Sequence, residues 1–381
     1  MRRLALTCLI AGASALLAAC GWTSTASEQS DAAATVDAAN CGGSIAVMAP
    51  YGGLGADDTV QMNWARVALD KFNQEHGTAF TLTPSNVDAE VDIGVAEAKR
   101  LARDPDVIGV VGPKTSVVTR AVGPIFDASD LVYVSPSATN ATLTDGSLRN
   151  FYRVVASDAL QAPTMAEFIG HHLHPSTVLV VRDDEAYSQG LADGLVQRLD
   201  ELKIPSKVID ITQTQKDFAD VVLQVDPTVN VVALPLLDAT QATRVVAQLA
   251  KAGKYPKVIG GDALFMPSFH APGAYVTTYA PDSSSEPDAQ EMVHLYQSIF
   301  GSFEQYGAPS FVAMEVLLDA AFEVCRETGD VTRKELEQQV PKTRLPTSVL
   351  GMPIAFTRAH ELKDAQISVY QVGPRGFTLQ G

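Results

Sequence analysis

Six short apolar segments, each rich in β-branched residues, recur along this chain and limit what it can fold into: "SIAVMAP", "VIGVVGP", "LVYVSPS", "STVLVVRD", "VNVVALPL" and "KVIGGDAL". Runs this brief and this continuously apolar suit strands buried on both faces of a parallel sheet, where neither face meets water. Helical patterns lie between them. In "ADDTVQMNWARVALDKFNQEHG", Val60, Trp64, Val67, Ala68 and Phe72 recur at helical spacing behind an aspartate pair suited to capping, and Gly77 stops the run. "AYSQGLADGLVQRLDELK" and "DATQATRVVAQLAKAGK" read the same way. Strands alternating with helices predict an α/β fold with parallel sheets and right-handed crossovers.

The foldable length, about 340 residues, exceeds what one hydrophobic core supports, so two lobes are expected. One strand–helix series runs from Ser44 to about Val154 and a second from about Ala156 to Tyr279. The pattern then changes to consecutive helices, "SEPDAQEMVHLYQSIFGSFEQYG" and "SFVAMEVLLDAAFEVCRETGD", followed by "VLGMPIAFTRAHELKDAQISVYQV", which reads as a hairpin. Those helices need an apolar surface to cover, and the first lobe offers it. The expected division is residues 43–154 plus 281–355 for one lobe and 155–280 plus 356–381 for the other.

The chain opens with two arginines, an apolar stretch too short to span a bilayer, and then small residues, the grammar of a secretory signal over residues 1–19. Its end, "LAAC", resembles the bacterial lipobox, which implies cleavage before Cys20 and a lipid on that thiol. Residues 20–42, poor in large apolar side chains, read as a flexible spacer. The protein is therefore expected outside the cytoplasm, held to the membrane by lipid. Loss of the signal removes Arg2 and Arg3 and no acid, taking the formal charge from -16 to -18. A body this acidic repels nucleic acid and anionic lipid, so nucleic-acid binding is excluded. Cys8 lies in the signal, which leaves Cys41 and Cys325 as either a disulfide or two buried thiols; an extracytoplasmic setting favours the disulfide.

The segment "YVSPSATN" raises the functional question, because a strand breaks at a proline into Ser135, Ser137, Thr139 and Asn140. Such residues form turns, and they also hold small polar ligands. In open α/β sheets ligands bind at the carboxyl ends of strands, where helix N-termini favour an anion. "GPKTSVVT" follows one strand and opens a helix, and "SPSATN" follows the neighbouring strand, so together they make a donor-rich rim.

With "SIAVMAPYGGLGADDT", "VIGVVGPKTSVVTRAVGPIFDASDLVYVSPSATNATLT", "VVRDDEAYSQGLADGL", "DFADVV" and "VIGGDAL" in this order, nearly the whole mature chain resembles the type I periplasmic binding proteins, in particular the branched-chain amino acid (leucine/isoleucine/valine) binding family of ABC importers. The resemblance implies two Rossmann-like lobes joined by three hinge strands, with the ligand in the cleft. It also implies roles. Ser116 matches a serine that holds a ligand carboxylate, and Ala138 and Thr139, beside Ser137, match positions offering a carbonyl and a hydroxyl to an ammonium. Tyr187 matches a tyrosine closing from the second lobe, Asp262 a glutamate that pairs with the ammonium, and Tyr51 lies in a loop that often lines the pocket. The chain departs from the family at "ALPLLDAT", where leucines replace an aromatic wall, and at Asp262, one methylene shorter than glutamate.

The implied function is a lipid-anchored capture subunit that closes on a small amino-acid-like ligand and presents both lobes to an ABC permease, acting as a monomer. The alternative is a sensor of the same fold that signals to a membrane receptor or kinase. No cofactor or enzymatic activity is expected. "GVVGPKTS" is not a phosphate loop, since Pro113 separates the glycine from Lys114, and no G-x-S-x-G, H-E-x-x-H or Cys-x-x-Cys occurs. "HHLH", His171 to His174, lacks companion cysteines and sits at an expected helix end, so no metal is expected.

Overall fold

A computed structural model describes residues 37–51, 59–301, 305–374 and 376–380. The signal, Cys20, most of the spacer and the aspartate pair ahead of the first long helix lie outside these residues.

The first series is β1 (Gly42–Met48), α1 (Val60–His76), β2 (Ala79–Ser85), α2 (Val91–Arg103), β3 (Val107–Val111), α3 (Ser116–Asp127), β4 (Val132–Ser135) and β5 (Phe151–Arg153). Its strands form a five-stranded sheet in the order β2-β1-β3-β4-β5, parallel at every pairing. β3 and β4 are buried along their whole length, as continuous apolar runs predict, whereas β2 is an edge strand with exposed positions and carries no such run.

The second series is α4 (Asp158–Phe168), β6 (Thr177–Arg182), α5 (Ala186–Glu201), β7 (Ser206–Asp210), α6 (Ala219–Gln224), β8 (Val229–Leu234), α7 (Ala239–Lys251), β9 (Lys257–Gly260) and β10 (Tyr275–Thr278). After it come α8 (Gln290–Phe300), α9 (Ala308–Thr328), α10 (Arg333–Gln339), β11 (Arg344–Leu345), β12 (Ile354–Ala355), β13 (Ser368–Gly373) and β14 (Gly376–Leu379). The second sheet runs β14-β13-β10-β9-β8-β6-β7, with β13 and β14 its antiparallel members. The expected terminal hairpin takes a different form. Phe356 and Leu362 meet in a single antiparallel bridge, β12 pairs with β11, and β13 leaves to pair with β10 and β14. Without β13, β10 would be left with an unpaired edge, and the backbone hydrogen bonds that β13 makes there outweigh a local turn.

α9 returns to the first sheet, where it packs on α1, β3 and β4. Trp64 of α1 stacks on Tyr296 at 4.4 Å between ring centroids and meets Phe311 edge-on at 6.1 Å, so one indole joins α1, α8 and α9. Cys41 and Cys325 are disulfide-bonded with 5.7 Å between their Cα atoms, tying the start of β1 to the end of α9.

Three crossings join the sheets: β5 to α4, β10 to α8, and the segment from β12 to β13. Phe356 and Leu362 still pack in the core of the first sheet, so the third crossing follows Leu362. At the crossings Val155, Ala156, Tyr279 and Ala280 form a small apolar cluster with Tyr306 and Ile367 against it. Among the described residues no helix is long and apolar enough to cross a membrane.

Candidate functional site

The carboxyl ends of β3 and β4 and those of β6, β8 and β9 face one another across the cleft. On the first side, the loop after β3 leads through Lys114 and Thr115 into α3, whose first residue is Ser116. The loop after β4 is "SPSATN", and its hydroxyls divide the work. Ser135 serves the turn: its Oγ donates to the Pro113 carbonyl at 2.7 Å and accepts from the Ala138 N–H at 2.9 Å. Ser137 braces the two loops by donating to the Lys114 carbonyl at 2.7 Å while accepting from Gln61 Nε2 at 2.9 Å. Asn140 N–H donates to Ser116 Oγ at 3.3 Å, and Asn140 Nδ2 reaches across the cleft to the Ala186 carbonyl at 2.8 Å. The α3 N-terminus, with Lys114 beside it, gives this side a positive character.

The second side is acidic. Tyr187, on the first turn of α5, is buried and donates its hydroxyl to Asp262 Oδ1 at 2.9 Å. Asp262 follows β9 and is only 2% exposed. Burial pushes its carboxyl up to about 6 against the hydrogen bonds from Tyr187 and Gln161. The tyrosine ring lies so close to Gly261 that a Cβ there would stand 2.3 Å from the Tyr187 hydroxyl, which makes the absence of a side chain at 261 a condition of the Tyr187–Asp262 contact.

Lys114, Thr115, Ser116, Ser137, Tyr187, Leu237, Asp262, Ala263 and Tyr306 surround a pinched cleft of about 270 Å³. Four of the candidate residues, Ser116, Ser137, Tyr187 and Asp262, therefore meet in one place. Three do not line it. Tyr51 packs against the core of the first sheet, its N–H donating to Asn86 Oδ1 at 2.9 Å. Ala138 and Thr139 are fully buried behind the rim. The Ala138 carbonyl accepts from Arg153 Nη1 at 3.2 Å, and the Thr139 carbonyl accepts from the Asp158 N–H at 2.9 Å. The Ala138 carbonyl expected to serve a ligand ammonium is thus engaged within the protein, and the Thr139 hydroxyl expected beside it is buried next to Asp158.

Arg153, the last residue of β5, is completely buried and organises this rim. Besides Ala138 it donates to the Asn140 carbonyl at 2.9 Å and Thr144 Oγ1 at 2.8 Å, and its Nε meets Glu361 Oε2 at 2.7 Å in a two-pronged ion pair. Glu361 belongs to the tight turn between Phe356 and Leu362, so the third crossing is fastened to the cradle loop.

Sequence reasoning also missed Tyr306, Lys114, Asp158 and Gln161. Tyr306 comes from the short turn before α9, far along the chain from either cradle loop, and no local signal announced it. Lys114 pairs with Asp88 at 2.9 Å. Asp158 opens α4 behind the Ser157 cap, where an acid reads as a partner of the helix dipole. Leu237, from the stretch where an aromatic wall was expected, lines the cleft and leaves it aliphatic there. His174 ends its helix in the left-handed conformation, and no group able to hold a metal ion occurs among the described residues.

The Periplasmic binding protein family profile matches residues 44–376. A Leu/Ile/Val-binding protein homolog of Brucella melitensis is 27% identical over 267 residues, covering 68% of this chain and 71% of that protein. In structure, the leucine binding protein LivK of Thermotoga maritima superposes with a TM-score of 0.79 at 21% identity, covering 89% of this chain and 97% of the other. The branched-chain amino acid binding protein LivJ of Streptococcus pneumoniae, in complex with isoleucine, gives 0.75 at 18% identity, covering 88% and 99%. With two α/β lobes, three crossings and a polar cleft at the strand ends, the chain belongs to the periplasmic binding proteins, in the type I branch that includes the Leu/Ile/Val-binding proteins.

Proposed function

We propose that this protein captures a small amino acid in the cleft between its lobes and delivers it to an ABC importer. The observation that carries this reading is the opposed polarity of the cleft. Ser116 at a helix N-terminus and Lys114 stand on one side, and Asp262 with Tyr187 stands on the other. A zwitterion is complementary to both sides at once. The relatives support the same class, since the Brucella protein bears the name of a Leu/Ile/Val-binding homolog and LivJ holds isoleucine. Capture proceeds by closure of the lobe built on the first sheet, which keeps Phe356 and Leu362, on the lobe built on the second, about the crossings at the Tyr279 and Tyr306 cluster. The protein acts as a monomer outside the cytoplasm, tethered by a lipid on Cys20, so Cys20→Ser should release it from membranes without altering ligand affinity.

A thermal-shift screen across amino acids, amides, urea, small carboxylates and sugars tests the ligand class. An α-amino acid at one hundred times its Kd should stabilise the protein by about 2.7 kcal/mol. Stabilisation by sugars or simple carboxylates alone would refute the reading.

A further inference from the structure

Apart from the cleft, α1 and α8 leave an open groove between them on the first lobe. Its floor is apolar, made by Val67, Met292, Leu295 and Ile299. Leu295 and Ile299 are neighbours one turn apart on α8, 36% and 56% exposed, so two large aliphatic side chains face water side by side. The rims are acidic. Asp70, Glu75 and Glu291 line the groove, and Lys71, the single cation among the described residues that line it, is held by Glu75 at 2.5 Å. Behind Lys71, Glu315 of α9 has a buried oxygen, Oε2, that no donor reaches among the described residues, and Asp319 adds its charge there. This wall is short of positive charge.

The groove runs away from the cleft. Gln61, on the first turn of α1, touches the cradle loop through Ser137. Residues 67–75 lie further along the same helix, roughly 9 to 21 Å from Gln61 at about 1.5 Å per residue. An apolar strip with acidic margins is complementary to a helix that carries aliphatic side chains along one face and lysine or arginine at its edges. Other occupants fit less well. A second copy related by a two-fold axis would set Asp70, Glu75 and Glu291 against their own counterparts, and an anionic membrane surface would meet the same acids. We propose that the groove docks a cationic amphipathic helix of a partner protein, laid between α1 and α8 as a third packed helix while the cleft stays free for its ligand. This surface is independent of what the cleft binds.

The test is fluorescence anisotropy with a labelled leucine–lysine peptide of four helical turns, about 14 residues, its leucines at i, i+3, i+4 and i+7. It is titrated with the wild type, Ile299→Lys and Leu379→Lys. Leu379, on β14 of the second sheet, has the same 56% exposure as Ile299, so both variants change the charge and the exposed apolar surface alike. The wild type and Leu379→Lys should bind the peptide equally, and Ile299→Lys about tenfold more weakly. Asp70→Asn combined with Glu291→Gln touches no apolar contact and should weaken binding about fivefold at low salt and less at high salt, which decides the matter even if Ile299→Lys fails to fold. A peptide with glutamate in place of lysine should not bind. Absence of binding to the wild type overturns the proposal. Equal affinities for Ile299→Lys and Leu379→Lys also overturn it, because the peptide would then be responding only to the overall acidity of the chain. Self-association of the wild type in sedimentation, abolished by Ile299→Lys, would assign the groove to a second copy and overturn it as well.

Discussion

Replacing Asp158 with Asn removes a buried acid while preserving its shape, and the ligand-free protein should report the change through pH. Burial, and next the neighbouring Asp262 charge, push the Asp158 carboxyl from its ordinary 3.8 up to about 8. Between those values the folded chain holds a proton that the unfolded chain has released. Stability contributed by this group is therefore complete below about pH 4 and is lost as pH rises toward 8, at about 1.4 kcal/mol per pH unit. From pH 5 to pH 7 the wild type should lose about 2.7 kcal/mol more than Asp158→Asn. With an unfolding entropy of roughly 2.1 cal/mol/K per residue over about 340 residues, that difference is about 4 °C in Tm. Asp262 and Glu315, pushed up to about 6 and about 7, shift stability in the same direction but are common to both proteins, so the difference isolates Asp158. The assay is scanning calorimetry without ligand at pH 5, 6, 7 and 8 at one ionic strength. Parallel Tm profiles for the two proteins would refute the argument, because they would mean that Asp158 titrates as it does in the unfolded chain.

Glu361→Ala leaves the guanidinium of Arg153 buried without its carboxylate and should cost about 3 kcal/mol, the low end for a broken buried pair because Glu361 is itself partly exposed; the urea midpoint measures it, with Glu361→Gln intermediate. Opening the Cys41–Cys325 bond, which spans a sequence separation of 284, should lower stability by up to about 5 kcal/mol, seen as a lower Tm in reductant that Cys41→Ser with Cys325→Ser reproduces. Gly190→Ala places a Cβ 2.5 Å from Asn140 Nδ2 and breaks the hydrogen bond from Asn140 to Ala186 across the cleft. Loss of one hydrogen bond of about 1 kcal/mol in the closed form should weaken ligand binding about fivefold, and an unchanged Kd would count against a closed state made by this contact.

The buried strands were legible because their signal is local: a strand covered on both faces has to be apolar throughout, and "VIGVV" or "VNVVAL" says so without reference to anything else. Edge strands β2 and β7 keep exposed positions, so they lacked that signal and emerged only with the sheet order. The same distinction runs through the site. Ser116, Ser137, Tyr187 and Asp262 each follow a strand or open a helix at the carboxyl side of a sheet, and that placement is written in the order of the segments. What the order of segments did not contain was the distribution of hydrogen bonds among buried groups. The structure gives the Ala138 carbonyl to Arg153, from a strand thirteen residues beyond Asn140, and gives Arg153 to Glu361, 208 residues further on. It turns Tyr51 toward the core and brings Tyr306 from the turn before α9 into the cleft. It leaves Asp158, which in the sequence is an ordinary acid at a helix start, buried and unsatisfied beside Asp262. Local periodicity determines the elements, because it depends on which faces are dry. Which polar groups are satisfied, and which remain for a ligand, depends on partners brought from distant parts of the chain, and only the folded arrangement decides that.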